Sequence, residues 1–129
     1  MTLTNGSAPG RTAAVRLAAL LFGAGTMHFV VPKQFDVIVP AELPGSARFY
    51  TYASGVAELS VGASLLVPRT RRLGGLAAAA LFISVFPANV NMVRLWWDKP
   101  WPMRLAAIAR LPLQIPMVVQ AVKVWRSPA

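Results

Sequence analysis

The sequence predicts an all-α integral membrane protein, an up-down four-helix bundle with both termini in the cytoplasm. Of its 129 residues, 56% are hydrophobic and only 13% are charged, and the mean hydropathy is +0.54. These values are typical of membrane proteins and unusual for small soluble domains. The apolar residues form four long blocks instead of helical stripes, which disfavours the alternative of a soluble bundle with a very apolar core.

The basic character of the chain fits a membrane surface better than a nucleic acid. The net charge is +9 and the pI is about 11.7. However, the basic residues lie at the edges of the apolar blocks, and their longest run is Arg71 and Arg72. We therefore expect contacts with the lipid bilayer and no nucleic-acid partner. Cysteine is absent, so any redox role would need a bound cofactor or a partner protein.

The N-terminal part combines a polar tail with the first apolar block. Residues 1–12 are small, polar and turn-rich, which predicts a disordered tail. Residues 13–31 predict the first span, because a helix of this length, at about 1.5 Å per residue, just covers a hydrocarbon core of about 30 Å. A signal peptide is the alternative, with Arg11 and Arg16 as its basic segment and cleavage near residues 23–25, but the apolar run continues beyond that point.

A proline-rich segment leads to the second block. Residues 32–46 contain three prolines and predict a loop or a short interfacial helix. Residues 47–67 predict the second span. Within it Gly55, Glu58 and Gly62 share one helical face, because they are spaced by three and four residues. Small residues let another helix approach closely, so we expect this face to point into the bundle.

Two further blocks occupy the rest of the chain. A basic turn at 68–72 precedes the third span, predicted at 73–93. Residues 94–102 hold three tryptophans, a composition typical of the membrane-water interface. The fourth span is predicted at 103–125, where its internal prolines would kink the helix, and residues 126–129 form a short tail.

The charges in the connections orient the four spans. The N-terminal end, the 68–72 turn and the C-terminal end hold only basic charges, whereas Asp36, Glu42 and Asp98 lie in the other two connections. Basic residues concentrate on the cytoplasmic side of membrane proteins, so both termini are predicted to be cytoplasmic.

With this orientation, the four spans bring polar side chains to a similar depth in the outer half of the membrane. Counting about 1.5 Å per residue from the outer end of each span places His28, Glu58, Asn89 and Arg110 about 6 to 10 Å deep. Gln114 lies one turn beyond Arg110. We predict that Glu58 pairs with Arg110, because either charge alone is costly in a low-dielectric environment. His28, Asn89 and Gln114 would extend this network.

Simpler structural roles remain open for several of these residues. A polar layer can serve only to fix helix register, which is the simpler interpretation of Asn89 and Gln114. His28 alone is more often structural, and Arg110 could instead reach the outer interface. For Glu58, the cost of keeping a carboxylate in a membrane favours a functional role.

The residue inventory argues against catalysis by this chain. One histidine, four acidic residues and no cysteine predict no metal site. No nucleophile arrangement and no phosphate-binding glycine loop is recognisable. We expect no catalytic activity of its own.

Six short segments together indicate a family, although each one alone is only weak evidence. They are GTMHFVVP at 25–32, VPAELP at 39–44, SGVAE at 54–58, PRTRR at 68–72, FPAN at 86–89 and RLPLQ at 110–114. In this order they resemble the DoxX-like family of small four-span bacterial membrane proteins. The resemblance implies a compact four-helix bundle in the bacterial cytoplasmic (inner) membrane. The family's name comes from a subunit associated with thiosulfate-to-quinone electron transfer. The resemblance therefore implies a quinone as the possible cofactor.

Three functional hypotheses follow. The first is an accessory membrane protein whose polar pocket, in the outer half of the membrane, binds a small amphipathic or quinone-like molecule or a partner helix. The second is a subunit of a quinone-linked oxidoreductase, in which Glu58 and His28 handle protons. The third is a small proton-coupled exporter, which four spans would permit only as a dimer. The sequence leaves open a membrane-protein partner or a homo-oligomer.

Overall fold

The computed structural model describes residues 10–127, and all regular structure in that range is helical. The helices are α1 (Arg11–Val30), α2 (Pro32–Asp36), α3 (Ala47–Leu66), α4 (Arg71–Ser84), α5 (Phe86–Leu95) and α6 (Trp101–Arg126). The prediction of an all-α protein is confirmed. The first, second and fourth predicted blocks correspond to α1, α3 and α6, and the third corresponds to α4 and α5 together.

The ends of the chain differ slightly from the predicted tails. α1 already begins at Arg11, after Gly10 in the left-handed conformation with a φ of 80°. At the other end, α6 includes Arg126. The rest of the predicted N-terminal tail, residues 1–9, and residues 128–129 of the C-terminal tail lie outside the described residues.

The third block is not one uninterrupted helix, as its apolar pattern suggested. α4 ends at Ser84, and α5 starts with Pro87 in its first turn. Proline lacks a backbone N–H and its ring clashes with the carbonyl one turn earlier, so the first helix cannot continue through it unchanged. The regular helix is interrupted at Val85, and α5, which follows it, carries Asn89 and Asn91.

Three helical stretches are long and apolar enough to cross a membrane: Arg11–Val30, Arg71–Leu95 and Trp101–Arg126. α3 has a comparable length but a more polar composition, because it carries Glu58 with several glycine, serine and tyrosine residues. The outward faces of the helices expose large apolar side chains, such as Leu73 at 67% and Ile115 at 64% exposure. Such continuous apolar surface is typical of a chain in contact with lipid.

The four long helical segments contact one another in a ring. α1 packs on α3, α3 on α4, α4 on α6, and α6 on α1. One end of the assembly is close-packed, where the first half of α1, the last halves of α3 and α6, and α4 contribute to one buried cluster. The buried residues there are mostly small: Ala13, Ala14, Leu17, Ala18, Leu21, Leu65, Ala78, Ala79, Phe82, Ala121 and Val124.

Glycines permit the close approach of these helices. A Cβ atom built on Gly75 would lie only 2.6 Å from the backbone nitrogen of Trp125, so α4 and α6 meet backbone to backbone. Gly55 and Gly62 are buried, and a Cβ atom on Gly55 would collide with the ring of Phe29 on α1. The face that they share with Glu58 therefore points inward, as its small residues predicted.

Candidate functional site

A cavity of about 740 Å³ lies in the half of the molecule opposite the close-packed end. It is bordered by α1, α3, α4, α5 and α6, and the 32–46 segment lies across it. All five polar residues singled out in the sequence line this cavity, namely His28, Glu58, Asn89, Arg110 and Gln114. Most of the remaining lining is apolar. A volume of this size suits a ligand of drug-like dimensions.

Glu58 occupies the α1–α3 side of the cavity and is only 8% exposed. Its Oε2 atom accepts a hydrogen bond of 3.3 Å from the hydroxyl of Ser54, one turn earlier on α3. Its Oε1 atom is 3.4 Å from Nδ1 of His28 but is buried without a hydrogen-bond partner among the described residues. A buried carboxylate oxygen without a donor is costly in an apolar setting, so this atom marks a place where a partner is needed.

His28 is fixed by contacts on two sides. Its Nδ1 atom lies 2.6 Å from the carbonyl oxygen of Ala24, one turn earlier on α1. Its ring stacks on Phe35 of α2, with 3.8 Å between the ring centroids and an angle of 20° between the planes. The carbonyl can only accept, so Nδ1 carries a hydrogen. This hydrogen is directed at Ala24, so Oε1 of Glu58 lies near Nδ1 without receiving a hydrogen bond from it.

The predicted ion pair between Glu58 and Arg110 is not formed. Arg110 is exposed, and its Nη1 atom lies 3.1 Å from the sulfur of Met92 on α5. Depth along a helix axis, which was the basis of the prediction, does not fix the direction in which a side chain leaves the helix. The acidic and basic groups share the cavity wall without meeting.

Asn89 and Gln114 form a second polar cluster on the opposite side of the cavity. Nδ2 of Asn89 donates to Oε1 of Gln114 at 2.9 Å, and Nε2 of Gln114 donates to the carbonyl oxygen of Phe82 at 2.7 Å. This chain links α5, α6 and the end of α4. The polar layer is therefore two local networks, one on α1 and α3 and the other on α4, α5 and α6.

The 32–46 segment, with α2 at its start, is held on both sides of the cavity. Asp36 accepts hydrogen bonds from Thr51 at 2.6 Å and from Arg48 at 2.9 Å, both on α3. Asn91 of α5 donates to the carbonyl oxygen of Ile38 at 3.0 Å. The hydrogen bond from Thr51 contributes most to holding the pKa of Asp36 below its usual value; burial opposes the shift and Arg48 adds to it.

Sequence reasoning missed several residues of this site. Ser54 lies four residues before Glu58, a spacing at which helical side chains meet, so that contact could have been found. The pairing of Asp36 with Thr51 and the contact of Asn91 with the backbone of Ile38 gave no local signal, because both connect separate segments. Within residues 10–127, no three His, Cys, Asp or Glu side chains lie together in a way that would hold a metal ion.

Comparison with known proteins gives a family. Residues 17–125 match the family described as Domain of unknown function (DUF8561), which is most of the chain. The chain belongs to this family. The DUF8561 region runs from within α1 to near the end of α6, so it contains every residue that lines the cavity. No curated protein and no solved structure matches the chain.

Proposed function

We propose that this DUF8561 protein is a four-pass membrane protein that holds a small amphipathic molecule in its cavity and acts as an accessory or ligand-binding protein. The main support is Glu58 in the wall of a cavity of about 740 Å³. Its Oε1 atom is buried without a hydrogen-bond partner among the described residues. The apolar walls can bind the hydrocarbon part of an amphipathic ligand, and the unpaired carboxylate oxygen can bind its polar head group.

The four-pass arrangement is supported by the helix contacts and by the placement of Glu58. α3 has contacts with both α1 and α4, and Glu58 in its middle points inward, so the outer face of this part of the helix is compatible with lipid. The start of α4 contacts the end of α6, where Nε of Arg72 donates to the carbonyl oxygen of Trp125. The basic ends thus lie together, which is the arrangement expected of a cytoplasmic face. We propose a bacterial inner membrane as the location, in line with the DoxX-like resemblance.

The first test is native mass spectrometry of the protein extracted with its own lipids. We expect the wild-type protein to retain a small molecule and Glu58→Gln, which keeps the side-chain volume but removes the charge, to retain much less. Ser64→Ala is the matched control, because Ser64 lies on the same helix but its hydroxyl donates to the Val61 carbonyl and does not line the cavity. An empty wild-type protein would contradict the proposal and favour a partner helix in the cavity.

A quinone-linked oxidoreductase subunit is a second candidate, favoured by one observation. His28 and Glu58 lie 3.4 Å apart in the cavity wall, a distance that would let them exchange a proton through small movements. On this hypothesis the purified protein binds quinone, and Glu58→Gln alters electron transfer in membranes. Absence of both effects would eliminate this candidate while leaving the ligand-binding proposal in place.

A further inference from the structure

The hydroxyl groups in the cavity wall already donate to acceptors of the protein. Four lining residues carry a hydroxyl, and each one donates a hydrogen bond within the chain. The pairs are Thr51 with Asp36, Ser54 with Glu58, Ser84 with the Leu81 carbonyl, and Tyr50 with the Pro44 carbonyl. A ligand in the cavity would therefore meet few free hydroxyl donors.

The amide cluster leaves one acceptor unused, in addition to the second N–H of each amide nitrogen. Nε2 of Gln114 must face the Phe82 carbonyl, because a carbonyl only accepts, and this fixes Oε1 of Gln114 toward Asn89. Asn89 must then present Nδ2 to Gln114. Its own carbonyl oxygen, Oδ1, accepts no hydrogen bond from the residues that the structure describes.

The surroundings of Glu58 keep its carboxylate in the accepting role. One oxygen faces the Ser54 hydroxyl, and the other faces the Nδ1 atom of His28, which carries a hydrogen because it lies 2.6 Å from the Ala24 carbonyl. The hydroxyl donates to Oε2, but the Nδ1 hydrogen is directed at Ala24, so the Oε1 atom has no hydrogen bond from the described residues. A buried acceptor without a hydrogen bond is costly, so a ligand that donates a hydrogen bond to Oε1 would be stabilised there.

We propose that the cavity selects amphiphiles whose head group donates a hydrogen bond to Oε1 of Glu58, such as an ammonium or a hydroxyl group, over those whose head group can only accept. This inference rests on the proposed ligand-binding function and specifies its ligand class. Arg110 also lines the cavity, but its side chain is exposed and its Nη1 atom contacts the sulfur of Met92. It therefore does not supply the hydrogen bond that Glu58 lacks.

Three probes of nearly equal size separate the alternatives: dodecylamine, 1-dodecanol and undecyl methyl ether, the last an isomer of the alcohol that has no donor. Each is added to the protein in lipid nanodiscs, and the bound fraction is measured by native mass spectrometry. We expect the amine and the alcohol to bind wild type at least about tenfold more tightly than the ether, because the ether leaves Oε1 unpaired. A larger preference for the amine over the alcohol would identify a cationic head group as the natural one.

Variants give the second readout. Glu58→Gln should weaken amine binding about tenfold, since a charge-assisted hydrogen bond becomes a neutral one. Ser64→Ala should bind all three probes like wild type. Equal binding of ether and alcohol by wild type would overturn the inference but leave the cavity as a binding site, whereas failure of all three probes to bind would overturn the proposed function too.

Discussion

The tight contact between α4 and α6 predicts that Gly75→Ala destabilises the protein. A Cβ atom at this position would lie 2.6 Å from the backbone nitrogen of Trp125 and 2.8 Å from the carbonyl oxygen of Ala121. Both are backbone atoms, so the two helices would have to separate by several tenths of an ångström. Overpacking of this kind costs about 1 to 3 kcal/mol. Alanine returns about 1 kcal/mol through its higher helix propensity, which leaves a net loss of roughly 0 to 2 kcal/mol relative to the wild type and roughly 1 to 3 kcal/mol relative to an alanine in an open helix position.

Gly23→Ala is the matched control for this prediction. Gly23 also lies inside a helix, but no atom outside its own backbone surroundings comes within 4 Å of a Cβ atom built there. This variant should match the wild type or be slightly more stable. The measurement is thermal unfolding of the three proteins in one detergent, repeated as unfolding by sodium dodecyl sulfate. Equal stability of Gly75→Ala and Gly23→Ala would refute the backbone-to-backbone packing of α4 against α6.

Three further predictions concern the polar residues. A double-mutant cycle of Asn89→Ala and Gln114→Ala should give a coupling free energy of unfolding of about 0.6 to 1.7 kcal/mol, whereas additive effects would contradict their hydrogen bond. Arg110→Gln should change the unfolding free energy by less than about 0.5 kcal/mol, because its side chain is exposed and forms no ion pair with Glu58; a large loss would restore that pair. Since the pKa of Asp36 is lowered on folding, its stabilising contact should be complete above the ordinary carboxyl value of about 4 and weaken as the pH falls through the lower folded value. Melting temperatures of wild type and Asp36→Asn between pH 3 and 7 should therefore converge at the acidic end, and a constant difference would contradict this.

The inward face of α3 shows how far local pattern can go. The spacing of Gly55, Glu58 and Gly62 predicted that these residues share a face and that another helix approaches it. Both features follow from helix geometry and side-chain size alone, and the structure has them. The partner of the carboxylate was predicted wrongly, because Arg110 was matched by depth and sign of charge. Two groups at equal depth meet only if their helices also present them to each other.

The third block shows a different limit. Its apolar composition predicted a span, and the stretch Arg71–Leu95 is indeed long and apolar enough to cross a membrane. Its division at Val85 depends on Pro87, a residue visible in the sequence but tolerated in many membrane helices. Whether such a proline kinks a helix or ends it depends on the packing around it. The sequence alone therefore could not place the axis of α5.

The sequence by itself determined the helical class, the positions of the long apolar segments and five of the polar residues that line the cavity, because composition, periodicity and helix rise depend on neighbours along the chain. The tertiary structure decided which of these residues touch across helices: His28 beside Glu58, and Gln114 beside Asn89. It also decided that Oε1 of Glu58 would receive no hydrogen bond from residues 10–127. These outcomes depend on the rotation of each helix about its axis and on the spacing between helices, which are set by contacts between residues distant in the chain.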